Sequence, residues 1–172
     1  MRWSPVLAAM WMACVGVVPL RAQDTSQGDL VEWRAWYRDA TANGRASEMA
    51  TRMTKACGPD EENLTPDALA QGFLAVAHLM LADEAWNPLD KLELFTEWKP
   101  QLEAAIALSP GDADLAFLRL GVQTHVPDLL KYNGDLDSDR LKVENALASG
   151  HWRTDPLHAT FVRDFLMYLK SL

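Results

Sequence analysis

From Ala68 to Ala82 the sequence reads ALAQGFLAVAHLMLA, and only Gln71, Gly72 and His78 interrupt its apolar side chains. A segment of this kind has few places to go. As a helix it extends about 22 Å, short of the roughly 30 Å of a bilayer's hydrocarbon core. A helix apolar on nearly all sides must instead be surrounded by other elements of the same chain. The spacing predicts a central core helix, and the rest of the chain has to supply its neighbours.

Those neighbours carry helical periodicity too. Leu30, Trp33, Trp36, Tyr37 and Ala40 predict a first helix over residues 29–42, closed by Asn43-Gly44 as a left-handed cap. A second, over residues 45–57, places Met49, Met53 and Cys57 on one stripe and stops at Gly58-Pro59. Beyond the acidic loop PDEEN, Thr65-Pro66 pairs a capping residue with proline at a first helical position. Trp86-Asn87-Pro88 makes the next turn. Leu92, Phe95, Leu102, Ala105 and Ile106 then hold one face through Pro100. Pro100 loses the bond to the Thr96 carbonyl, at about 3 kcal/mol in a straight helix, so a single kinked helix is expected. Asp112 caps a fifth helix over residues 113–124. A short turn (PDLLKY) and Asn133-Gly134 precede a sixth helix over 138–148. Leu157, Phe161, Phe165 and Leu169 mark a seventh over 156–170. No stretch reads as a strand. The expected fold class is all-α, an irregular bundle of about seven helices.

The N-terminus has a different character. Arg2 precedes the apolar run Val6–Val18, which breaks at Pro19 and is followed by Leu20-Arg21-Ala22. That order reads as a signal peptide, residues 1–22, leaving a single helical domain over 23–172 that is exported, periplasmic or secreted. An uncleaved anchor is the alternative. Cys14 suggests a lipoprotein, but Trp11-Met12-Ala13 before it does not suit one. Every acidic residue lies beyond Ala22, so loss of Arg2 and Arg21 takes the net charge from −8 to −10. With no Lys/Arg cluster to offset it, such a surface repels nucleic acid and anionic membranes. Stable membrane insertion after cleavage is not expected. Only Cys57 remains, which excludes an intrachain disulfide; its position near a helix C-terminus raises a thiol's pKa and argues against cysteine catalysis.

Two resemblances follow from particular residues. The segment LEAAIALSPGDADLAFLRLG, with Leu102, Ala105 and Pro110, resembles the junction between tetratricopeptide repeats. Arg119 and Leu120 stand where that repeat has leucine and glycine, so the resemblance implies helical hairpins of similar type and not a regular array. From Phe73 to the C-terminus, AWNPLDKLELF and AIALSPGDADLAFLRLGVQTHVPDLLKYN resemble an uncharacterised exported bacterial helical family; Pro100 departs from its pattern. That resemblance implies fold and compartment, and assigns no activity.

Chemistry-bearing motifs are sparse. Neither HExxH, CxxC nor GxSxG occurs, so a non-enzymatic protein without cofactors is expected. Asn133, Asp135, Asp137, Asp139 and Glu144 fall at positions 1, 3, 5, 7 and 12 of a calcium-loop template, but Ser138 replaces its glycine. An acidic helix start is the expected reading, with calcium the lesser alternative. Gln71 and His78 share a stripe that predicts a thin polar seam. Arg119 and Gln123 sit one turn apart amid Leu115, Phe117, Leu118, Leu120 and Val122. A guanidinium there needs a partner, and Asp83 or Glu84 is expected to supply it. The functional alternative places Trp86, Asn87, Arg119, Gln123, Tyr132 and Asn133 along one groove that binds a protein or peptide. Trp33, Trp36, Trp98 and Trp152 are expected in the core or covering it. The leading expectation is a binding or scaffold module of the cell envelope. An enzyme or enzyme accessory with a cleft near Arg119, and a structural subunit of an envelope assembly, are the alternatives.

Overall fold

The computed structural model of the protein describes residues 27–57 and 67–171. Among these residues it forms seven α-helices and no strand: α1 (Gln27–Asn43), α2 (Ala46–Ala56), α3 (Ala68–Glu84), α4 (Pro88–Leu108), α5 (Ala113–His125), α6 (Leu136–Ser149) and α7 (Pro156–Leu169). A 3-10 turn, Asp128–Leu130, separates α5 from α6. The leader over residues 1–22 and the Thr65-Pro66 signal lie outside the described residues. The start of α3 is instead set by Asp67, whose carboxylate accepts from the amides of Leu69 and Ala70.

The all-apolar segment occupies the centre, as its composition demands. α3 packs against α1, α2, α4 and α5, and Phe73, Ala75, Val76 and Ala77 are buried. A second helix is buried more completely still. Every residue of α5 from Ala113 to Gly121 is buried, including Asp114 and Arg119. α6 covers α5, and α7 returns to α1. There Phe117 of α5 meets Tyr37, Phe161 and Phe165 edge-on at 5.5–6.1 Å, a favourable geometry for aromatic rings. Trp33 and Trp152 are buried, and Trp36 and Trp98 are partly buried against the core. α4 runs through Pro100 as one 21-residue helix, because the apolar face on either side keeps a common phase.

Gly72 sets how closely α3 and α5 approach. A Cβ there would overlap Cδ2 of Leu115, which is wholly buried, and would also touch Ala105 at 3.8 Å. The displaced leucine has no free volume to enter. Gly72→Val is therefore expected to remove about 2 kcal/mol through overpacking. That corresponds to a fall of about 6 °C in Tm for a domain of this size, and calorimetry of the two proteins checks it.

Candidate functional site

Arg119 has partners, and they are not the expected ones. Its Nε donates to Asp139 Oδ2 at 2.6 Å and its Nη2 to Oδ1 at 2.9 Å. Nη1 reaches Glu103 at 3.1 Å and Asp135 at 3.3 Å. The bond to Asp139 and the three carboxylate charges hold the guanidinium still more firmly protonated. Tyr132 donates to the other oxygen of Glu103, and burial together with that bond keeps its phenol neutral. Asp83 and Glu84 are not involved, because α3 ends elsewhere in the bundle. The Glu84 carboxylate accepts from the Ala46 amide at 2.7 Å and from Ser47 at 3.4 Å, capping α2.

The six residues expected along one groove are accordingly split. Arg119 and Tyr132 belong to this internal network, and Gln123 is buried with its side-chain amide unpartnered. Asn87 caps α4 through the Leu89 amide, Asn133 is exposed, and Trp86 is 98% exposed. The calcium template is dispersed in the same way. Asp135 and Asp139 face Arg119, Asp137 pairs with Arg140, and Glu144 pairs with Lys170. Among the described residues no group of three or more His, Cys, Asp or Glu is placed to hold a metal ion.

A second buried polar cluster centres on Asp114. Arg34 of α1 donates Nε to Oδ1 at 2.8 Å and Nη2 to Oδ2 at 2.6 Å. The Trp152 indole donates to Oδ1 at 3.0 Å, and His151 Nε2 lies 3.1 Å from Oδ2. Burial alone would raise the Asp114 carboxyl, but the His151, Arg34 and Trp152 bonds hold it well below the usual carboxylate range. His151, hydrogen-bonded to that carboxylate, is raised. His158 behaves oppositely. Neither of its ring nitrogens has a hydrogen-bond partner, and burial pushes it down to about 4 despite Asp114 at 3.8 Å.

A pH dependence follows from His158. Its folded pKa lies below its unfolded value of about 6.5, so the unfolded chain binds the proton first on acidification. Stability is then lost as pH falls from about 6.5 through about 4, by up to about 3 kcal/mol. His151 works against this, since its contribution is present below the unfolded value and is lost as pH rises. His158→Phe, packing among Phe117, Trp152 and Phe161, is expected to flatten the acid loss. Urea denaturation at pH 7 and pH 4.5 measures it.

A concave groove lies at one end of the bundle. α1, α3 and α5 finish there and α2 and α4 begin there, around a volume of about 700 Å³. Val76, Leu79 and Met80 of α3, Phe95 of α4 and Val122 of α5 line it, with Leu92, Leu129 and Leu130 toward its edge. Gly121 on α5 lets the Tyr37 hydroxyl lie against its backbone, where a Cβ would come within 2.7 Å. Burial pushes that phenol up to about 12, so it contributes a neutral hydroxyl. His125 points Nδ1 at the Gly121 carbonyl, 2.8 Å away. The rim carries exposed apolar side chains: Leu129 is 88% exposed and Leu92 47%. Trp86 stands in the turn just before Pro88, itself a lining residue.

None of the six residues singled out in the sequence lines this groove. Its signal was weak because helix ends, not one helix face, build it. Only Trp86 and the Pro88 turn marked its edge.

Fold and site together define an all-helical protein with an open apolar groove and an apolar rim. No family model, no characterised protein and no solved structure matches the chain, so function is argued from the site itself.

Proposed function

We propose that the protein is a non-enzymatic binding module of the cell envelope that holds a segment of a partner protein in the groove between α1, α3, α4 and α5. The observation that carries the reading is the rim. A cleft of this volume lies within the roughly 300–1,000 Å³ of ligand sites, and the exposed lining residues Leu92 and Leu129 carry its apolar surface outward, with Trp86 in the turn before the lining Pro88. Large exposed apolar patches mark interaction surfaces, and a ligand confined to the cleft would leave that rim in water. Tryptophan is the residue type most enriched among binding hot spots. Export is part of the proposal through the leader-like residues 1–22, and tetratricopeptide-like hairpins suit a groove built from helix ends. What weighs against a cleft at Arg119 is that three carboxylates already occupy its guanidinium.

Site-specific photo-crosslinking in the native envelope tests the proposal. A benzophenone side chain at Leu129 is expected to give a discrete protein adduct. The same group at Leu141 or Leu157, exposed leucines of α6 and α7, is expected to give none. Adducts of equal yield from all three positions, or turnover of a small substrate with no adduct, would overturn it.

A further inference from the structure

The charge around the groove narrows what can enter it. α1, α3 and α5 all present their C-terminal ends there, each equivalent to about half a negative charge. The last turns of α1 and α3 carry no basic residue, and His125 in the last turn of α5 is bonded to its own helix. The opposing positive ends are already answered, since Glu84 caps α2 and Asp90 stands in the first turn of α4. On the lining Asp83 and Glu84 stand against Lys91; beside it in sequence, Asp128 falls between the lining residues Pro127 and Leu129, and Arg45, between Gly44 and Ala46, is paired with Asp39. Among the described residues Asp83 and Asp128 make no ion pair.

An apolar trough with an electronegative rim disfavours fatty-acid carboxylates, anionic lipid headgroups and acidic peptides, whose charged ends would meet like charge. It favours an apolar segment with Lys or Arg beside it. The mode of binding is narrowed as well. No strand edge exists among the described residues for an extended chain to join, whereas an amphipathic helix can lay apolar anchors into a trough between helices.

Resting on the groove assignment above, we infer that the groove's ligand is a cationic amphipathic helix of a partner protein, with leucine-like side chains at i, i+3, i+4 and i+7 and its basic residues against Asp83 and Asp128.

The test uses the purified full chain and two fluorescein-labelled synthetic peptides, read by anisotropy. Both carry leucines at those four positions; one has lysines on its polar face and the other has glutamates. The lysine peptide is expected to bind at least about tenfold tighter and to weaken as salt rises. Trp86→Ala and Leu129→Asp change exposed side chains and leave the fold intact; each is expected to weaken the lysine peptide about tenfold. Asp83→Lys is expected to narrow the preference between the peptides.

The failures are distinct. Equal or tighter binding of the glutamate peptide, still lost with Leu129→Asp, overturns the charge assignment and leaves the groove standing. Binding of the lysine peptide that ignores both Trp86→Ala and Leu129→Asp overturns the groove itself. Displacement of the peptide by laurate at equal concentration gives the trough to an acyl chain. A dimer in sedimentation that Leu129→Asp dissolves, with neither peptide bound, gives it to a second copy. Each of these last two overturns the inference.

Discussion

Replacing Asp114 by alanine is expected to remove about 3–5 kcal/mol of folding stability. The pair it breaks is sealed, because the Arg34 and Asp114 side chains are each only 2% exposed. Bringing two ions out of water is costly, and their mutual attraction recovers that only when both are present and well bonded. Alanine at 114 strands a guanidinium that already leaves Nη1 without a partner, and it also takes the acceptor from the Trp152 indole. Three elements come loose together: α1, α5 and the segment leading from α6 into α7. At about 2–4 °C per kcal/mol, a melting temperature lower by about 10 °C is expected.

The controls separate charge from shape. Asp114→Asn keeps the volume and one acceptor and is expected to lose less than alanine does. The double variant Arg34→Met with Asp114→Leu removes both charges into an apolar surround and is expected to recover most of the loss, since buried pairs often yield little over packed hydrophobes. Urea denaturation of all four proteins at pH 7 decides it. A loss under 1 kcal/mol for Asp114→Ala would show that the cluster is not a keystone.

The sequence carried the helices well because their signals are local. The stripes of α1 and α7, the Asp112 cap and the unbroken phase through Pro100 depend on residues within a turn or two of each other. Pairings across the bundle are another matter. Arg34 and Asp114 are 80 positions apart and Arg119 and Asp139 are 20 apart, and no spacing rule joins them. A sign of the first was present, since Arg34 stands between Trp33 and Trp36 on an otherwise apolar stripe. A charge in such a position must find its counter-ion, but which carboxylate serves is fixed only by helix packing. Arg119 was expected to find Asp83 or Glu84 on the helix nearest in hydrophobic character. Instead the amides at the start of α2 claim Glu84, and α6 delivers Asp139 to the arginine. The groove was the least legible feature. Five helix ends and a 3-10 turn contribute to it, each by a few residues, and a periodicity reading weighs faces and not ends.

Arg119→Ala is the companion experiment, and its two readouts are expected to diverge. Asp139 is fully buried, and arginine supplies both of its short hydrogen bonds. The remaining cation near it, Lys142, sits 3.9 Å away with its side chain 42% exposed, too wet to replace a bidentate guanidinium. Removing Arg119 thus leaves an uncompensated buried carboxylate and is expected to lower stability by about 3–5 kcal/mol. Peptide binding at a temperature where the variant remains folded is expected to stay within about twofold of the parent, because none of Arg119, Glu103, Asp135 and Asp139 lines the groove and the network meets the lining through the Tyr132 ring, edge-on to Phe95 at 5.7 Å. Arg119→Met with Asp139→Leu should restore folding and leave binding unaltered. The opposite pattern, folding retained while binding is lost, would return the recognition site to Arg119 and take it from the helix-end groove. The divergence is what makes the experiment decisive: a guanidinium held by Asp139, Glu103 and Asp135 answers to the fold, and only a free one could answer to a ligand.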